Sequence, residues 1–246
     1  MYRRMIGFFA AALIGLSPAH AINGGKNAPA DIAAQTVQII STRGSICSAT
    51  VIARDLVLTA GHCVQPRANY AISISEGWGG SREVPVARIV LHPNYDPHQF
   101  ETRKPSPDMA ILKMAEPLPS RFHPARIAND RALPKPGDTF TLAGYGFSVD
   151  GDPDTIGKVR SITLPAIGTT GGIMVRVSAG GGSSAGACTG DSGGPAFRGE
   201  ALAAVIGWIN TPEGRNCGSV TGATLVGLQH DWIVTTARAL GAAIRE

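Results

Sequence analysis

The chain has 246 residues, 43% of them hydrophobic and 16% charged, with 31 Gly, 17 Pro and 4 Cys. That length suits one large domain or two small ones with an ample core, and the composition excludes a disordered chain. A formal net charge of +4, from 22 basic and 18 acidic residues with no basic run, argues against nucleic-acid binding as the main role.

The chain opens on Met1-Tyr2-Arg3-Arg4, continues as an apolar run to Leu16, and then reads Ser17-Pro18-Ala19-His20-Ala21. A basic start, a short apolar centre and small residues at Ala19 and Ala21 make 1–21 a secretory signal peptide. The apolar stretch is short for a spanning helix of roughly 20 residues, which disfavours the alternative of an uncleaved anchor. Cleavage leaves 225 residues with a formal charge of +2, starting at Ile22-Asn23-Gly24-Gly25 with no pro-segment in between. The expected product is exported, to the medium or to a Gram-negative periplasm, monomeric and free of the membrane.

Along the mature chain, candidate strands are Thr36–Ile40, Ser48–Ile52, Ala71–Ser75, Val84–Leu91, Met109–Met114 and Phe140–Ala143. Val159–Leu164, Ile173–Ser178, Leu202–Trp208 and Thr224–Leu228 follow. Several alternate apolar and polar residues, and Gly, Pro, Asn or Asp punctuate the gaps, as in sandwiches and barrels. Pro93 to Pro107 reads as a long loop, with further loops at Asp150–Asp154 and Gly180–Gly186. Trp232, Ile233, Thr236, Ala237 and Leu240 recur at helical spacing, predicting a terminal helix over about 231–243.

In an exported protein, Cys47, Cys63, Cys188 and Cys217 form two disulfides, and the sequence alone leaves three pairings open. A zinc site is the weaker alternative, since there is no C-x-x-C, no H-E-x-x-H and no second His near a Cys pair. No metal or cofactor is expected. Asp150-Gly151-Asp152-Pro153-Asp154 opens like a calcium loop, but Thr155 and Ser161 stand where that loop needs Gly and Glu. His92, His98, His123 and His230 read as loop, surface or packing residues.

Three motifs carry chemistry: Leu58-Thr59-Ala60-Gly61-His62-Cys63, Pro107-Asp108-Met109-Ala110-Ile111-Leu112 and Gly190-Asp191-Ser192-Gly193-Gly194-Pro195. A serine hydroxyl is a poor nucleophile until a base takes its proton. Histidine is that base, and a buried carboxylate holds its tautomer and offsets the imidazolium charge. Glycines let backbone N–H groups approach a developing oxyanion. Gly190-x-Ser192-x-Gly194 also fits the nucleophile elbow of α/β-hydrolases, but that order needs an acid and then a His downstream with alternating strands and helices. The remaining 54 residues lack that alternation.

Taken together, the motifs resemble the trypsin/chymotrypsin-like serine proteases, over the whole mature chain 22–246. The resemblance implies an all-β, chymotrypsin-like fold of two Greek-key six-stranded β-barrels, about 22–125 and 126–230, with a C-terminal α-helix. It implies His62, Asp108 and Ser192 as catalytic residues in the cleft between the barrels, and the N–H groups of Gly190 and Ser192 as oxyanion hole. Disulfides Cys47–Cys63 and Cys188–Cys217 follow from the same likeness, as does pairing of a freed Ile22 ammonium with Asp191. The activity implied is a secreted endopeptidase acting on protein or peptide substrates through an acyl-enzyme.

By the same likeness, Gly186 lies at the floor of the specificity pocket and Trp208 and Ile209 at its wall. No acid at the floor and a branched wall residue point to small aliphatic residues before the scissile bond. Ile206, in place of the family's His, argues against glutamate preference, and Gly207 stands where the family commonly has a Ser bonded to the catalytic acid. The second function class is a catalytically weak or inactive relative serving as a binding or host-interaction protein.

Overall fold

The structure, a computed structural model, describes residues 22–77, 80–149, 152–211 and 215–246. The leader 1–21, Trp78 and the Asp150-Gly151 start of the acidic turn lie outside them.

The first half of the chain runs β1 (Lys26–Asn27), α1 (Ala30–Gln35), β2 (Thr36–Ser41), β3 (Ile46–Ala53) and β4 (Leu56–Thr59). It continues through β5 (Tyr70–Gly77), β6 (Gly80–Leu91), α2 (Gln99–Thr102) and β7 (Ala110–Met114). Six of these strands close an antiparallel barrel in the order β2-β3-β4-β7-β6-β5, with β5 returning to β2. β3 and β4 are buried along almost their whole length, because closure covers one face and the rest of the molecule the other. Val37, Ile39, Val51, Leu58, Ile72 and Leu112 are among the side chains of this core.

The second half contains β8 (Arg126–Ile127), β9 (Thr139–Gly144), β10 (Arg160–Thr170), β11 (Met174–Val177), β12 (Pro195–Arg198), β13 (Ala201–Asn210) and β14 (Val220–Leu225). Here the closed path is β9-β10-β11-β14-β13-β12, with β12 pairing back to β9. Phe140, Leu142, Val175, Val177 and Ile206 fill it. β8 adds in parallel to β13, and β1 adds to β10, so the chain start pairs with the second barrel although sequence order groups it with the first. Ile22 is likewise fully buried in the second core.

Several boundaries differ from the sequence reading. The long loop after Pro93 contains α2, and the terminal helix, α3, spans His230–Ala239. The last strand starts at Val220 and ends at Leu225, with Leu228 in a 3-10 turn beyond it. Gly222 hides the start of this strand from pattern reading yet is required in it: a Cβ there would lie 2.1 Å from the Trp208 ring. Among the described residues no helix is long and apolar enough to cross a membrane.

Candidate active site

His62 rides on a 3-10 turn, Gly61–Val64, that follows β4. The disulfide Cys47–Cys63 ties this turn to β3, and Gly61 lies flat against Tyr95, where a Cβ would meet the ring at 3.0 Å. Asp108 stands two residues before β7 and is fully buried. Its Oδ1 accepts the His62 backbone N–H at 3.0 Å, and its Oδ2 lies 2.7 Å from His62 Nδ1. In the neutral ring that contact makes Nδ1 the N–H donor and leaves the lone pair on Nε2. Burial, together with the Asp108 and Asp96 carboxylates, holds the Tyr95 phenol above its ordinary pKa.

Ser192 comes from the loop between β11 and β12, yet its main chain docks on the first barrel. Its carbonyl accepts the Ser48 N–H at 2.8 Å, and Cys63 Sγ lies 3.5 Å from the same oxygen. The adjoining Gly193 has φ of +79°, and a Cβ there would meet Thr59 Oγ1 at 2.0 Å. Only glycine lets this loop approach β4 so closely. The structure therefore brings Ser192 beside the turn of His62, although no hydrogen bond joins the two side chains among the described residues. Serine–base hydrogen bonds are commonly long before substrate binds. The N–H groups of Gly190 and Ser192 donate to no protein acceptor among the described residues.

Asp191 points the other way, into the second barrel. Its Oδ1 accepts the Gly146 N–H and its Oδ2 the Cys188 N–H, both at 2.8 Å. Burial raises its pKa to about 7 against the opposing pull of those two donors. Ile22 shares its barrel core, and the backbone of Asn23 bridges to Gly186. Gly186 itself is closed to side chains, since a Cβ would lie 2.5 Å from the Gly218 carbonyl. Ile209 packs on the second core, and its Cβ lies 2.9 Å from where a Cβ on Gly218 would be.

A family model described as Trypsin matches residues 22–236. The chain belongs to the trypsin family of serine proteases. It is 27% identical to Trypsin iota of Drosophila melanogaster over 229 residues, covering 87% of this chain and 86% of that protein. It is 28% identical to human Kallikrein-8 over 184 residues, 70% of this chain and 69% of that one. Among solved structures, the mouse-brain serine protease neuropsin superposes with a TM-score of 0.70 at 21% identity, covering 87% of this chain and 99% of that one. That likeness is one of fold.

In this trypsin-family chain both disulfides, Cys47–Cys63 and Cys188–Cys217, are formed. Sulfur and imidazole atoms of Cys47, His62 and Cys63 cluster within 4.8 Å, but the bridge consumes both thiols. The sequence reading passed over two residues at the site. Ser48 is fully buried, donates to the Gly190 carbonyl at 2.9 Å and accepts the Tyr145 N–H, so it joins the Ser192 loop to both barrels. Its signal is a small polar residue inside a strand that is otherwise apolar but for Thr50. Phe100, on α2, is 49% exposed and meets the His62 ring edge-on at 5.9 Å. Nothing local marks it, because the contact depends on how the long loop folds back.

Proposed function

We propose that this chain is a secreted serine endopeptidase that works through His62, Asp108 and Ser192. The observation that carries the reading is the pair of hydrogen bonds that one buried carboxylate accepts from the backbone and ring of His62. Such a carboxylate fixes the imidazole so that Nε2 faces outward as a base. Ser192 Oγ attacks the scissile carbonyl carbon as its proton passes to Nε2, and the Gly190 and Ser192 N–H groups receive the oxyanion. Collapse expels the amine, which takes the proton from Nε2, and leaves an acyl-Ser192 ester. Water, deprotonated by the same Nε2, then attacks the ester, and collapse releases the acid as the proton returns from Nε2 to Ser192 Oγ.

The small aliphatic preference before the scissile bond rests on Gly186 and Ile209. A floor closed to side chains holds no acid to pair with Arg or Lys, and a branched wall narrows the space above it. Maturation is the loss of residues 1–21: the freed Ile22 ammonium pairs with Asp191, whose buried carboxylate has two N–H donors and no cation beside it among the described residues. We further infer a monomer acting outside the cytoplasm.

The test uses protein starting at Ile22, a fluorophosphonate label and a peptide library. Labelling that vanishes in Ser192→Ala, with cuts after Ala, Val or Thr, is the expected result. Cuts after large or basic residues would keep the nucleophile and remove the pocket assignment. A folded, bridged protein that neither labels nor cuts would make the binding-protein reading the right one.

A further inference from the structure

A groove of about 330 Å³ lies on the outer face of the first barrel, between the chain that leaves the His62 turn and strand β6. Val64, Ala68, Val86 and Ile89 supply apolar lining, and Arg67 and Arg88 supply charge. Ile89 is 37% exposed, an uncovered branched side chain on a surface strand. A β-bulge between Val86 and Arg88 interrupts the pairing of β6 with β7. Bulges re-aim side chains, and this one puts consecutive residues of β6 on the groove. The other wall is held by Tyr70, whose hydroxyl donates to the Pro66 carbonyl at 2.8 Å.

Arg82 pairs with Glu116, Arg131 with Asp231, and Arg198 with Asp138. Arg67 and Arg88 have no carboxylate partner among the described residues, and no acid lines the groove. A guanidinium offers a planar fork of donors matched to a carboxylate, and two of them beside apolar surface favour a partner carrying both features. The groove is too small for a globular surface and suits a short stretch of extended chain.

We propose that this groove captures an acidic, apolar segment of the protein substrate, outside the cleft where the bond is cut. Val64 ends the same 3-10 turn that holds His62, so a captured segment lies next to the catalytic turn without entering it. That the occupant is substrate rests on the protease reading; that the groove binds an acidic, apolar peptide does not.

The experiment measures fluorescence anisotropy of a short fluorescein-labelled peptide of glutamates and leucines against Ser192→Ala protein starting at Ile22. Binding is expected, weaker at high salt, and absent for the same peptide with lysine replacing glutamate. Arg67→Gln with Arg88→Gln, both exposed and checked for folding by circular dichroism, should weaken it by about tenfold or more. Ile89→Ser should weaken it by about threefold, through lost apolar contact. No binding by the intact groove, or binding indifferent to the arginine pair, overturns the proposal. Loss with the arginines but none with Ile89→Ser, together with competition by heparin, would make the groove a polyanion site and overturn the peptide assignment. Fluorophosphonate labelling of the unsubstituted chain is scored separately, so failure of the protease reading and failure of the groove are distinguishable.

Discussion

At the site, His62 supplies both hydrogen bonds that Asp108 accepts among the described residues. Gly207 faces the same carboxylate with room to spare: a Cβ there would lie 3.6 Å from Asp108 Oδ2, 3.5 Å from Met174 Cε and 3.7 Å from the Gly222 carbonyl. These are ordinary contacts, so a serine fits without displacing a neighbour, and its hydroxyl can donate to Oδ2. A hydrogen bond to a charged group contributes about 1.5–3 kcal/mol, whereas replacing a strand glycine contributes about 0.5–1 kcal/mol from the backbone alone. Gly207→Ser should therefore raise the urea midpoint more than Gly207→Ala, with kcat on a short peptide maintained or increased. Equal midpoints for the two variants would show that Asp108 needs no further donor.

The His62 turn is an element built from two constraints, the Tyr95 ring against Gly61 and the Cys47–Cys63 bridge. With a sequence separation of 16, loop closure predicts a loss of about 3 kcal/mol when Cys47→Ala and Cys63→Ala are combined. Catalysis should fall further than stability alone requires, because His62 then depends on Asp108 for its position. Calorimetry with kcat at a temperature well below the midpoint checks this, and full activity in the folded double variant would contradict it. The same element shows what was legible. The motif around His62 was plain because its chemistry needs those residue types, and β2, β5 and β9 were plain because they alternate. β4 was not: Leu-Val-Leu-Thr is buried on both faces, so no alternation marks it. Gly222 shifted the expected last strand to Thr224–Leu228 instead of Val220–Leu225, since its reason lies in the distant Trp208. Phe100 and Ser48 were missed on the same ground. Their roles are set by contacts between barrels or across a long loop, and no local period encodes those.

Across the whole molecule, the proposed pairing of Asp191 with a freed Ile22 ammonium would couple the chain start to the Ser192 loop. With residues 1–21 attached, the folded state holds this carboxyl at a pKa of about 7 through burial, against an ordinary value of 3.8. A raised acid pKa means that the folded state binds a proton the unfolded state has released. Its stabilisation is thus full below about pH 4 and is lost as pH rises through about 7, a loss on the order of 4 kcal/mol at neutral pH. Cleavage after Ala21 changes the sign. An ammonium at Ile22 favours the charged carboxylate, and the carboxylate in turn raises the amine above its ordinary value near 8. The mature protein then gains from the pair above the pKa of Asp191 and loses it only as pH climbs through that of the amine. Urea melts of Ser192→Ala from pH 4 to 10, with and without residues 1–21, separate the two states. The longer form should weaken steadily up to pH 7, while the mature form holds its stability there and weakens only above about pH 8. Identical profiles would remove the Ile22–Asp191 pair, and with it maturation by export alone. Replacing Asp191 with Asn offers an internal check: it should flatten the acid-side slope of the longer form and abolish the alkaline slope of the mature one.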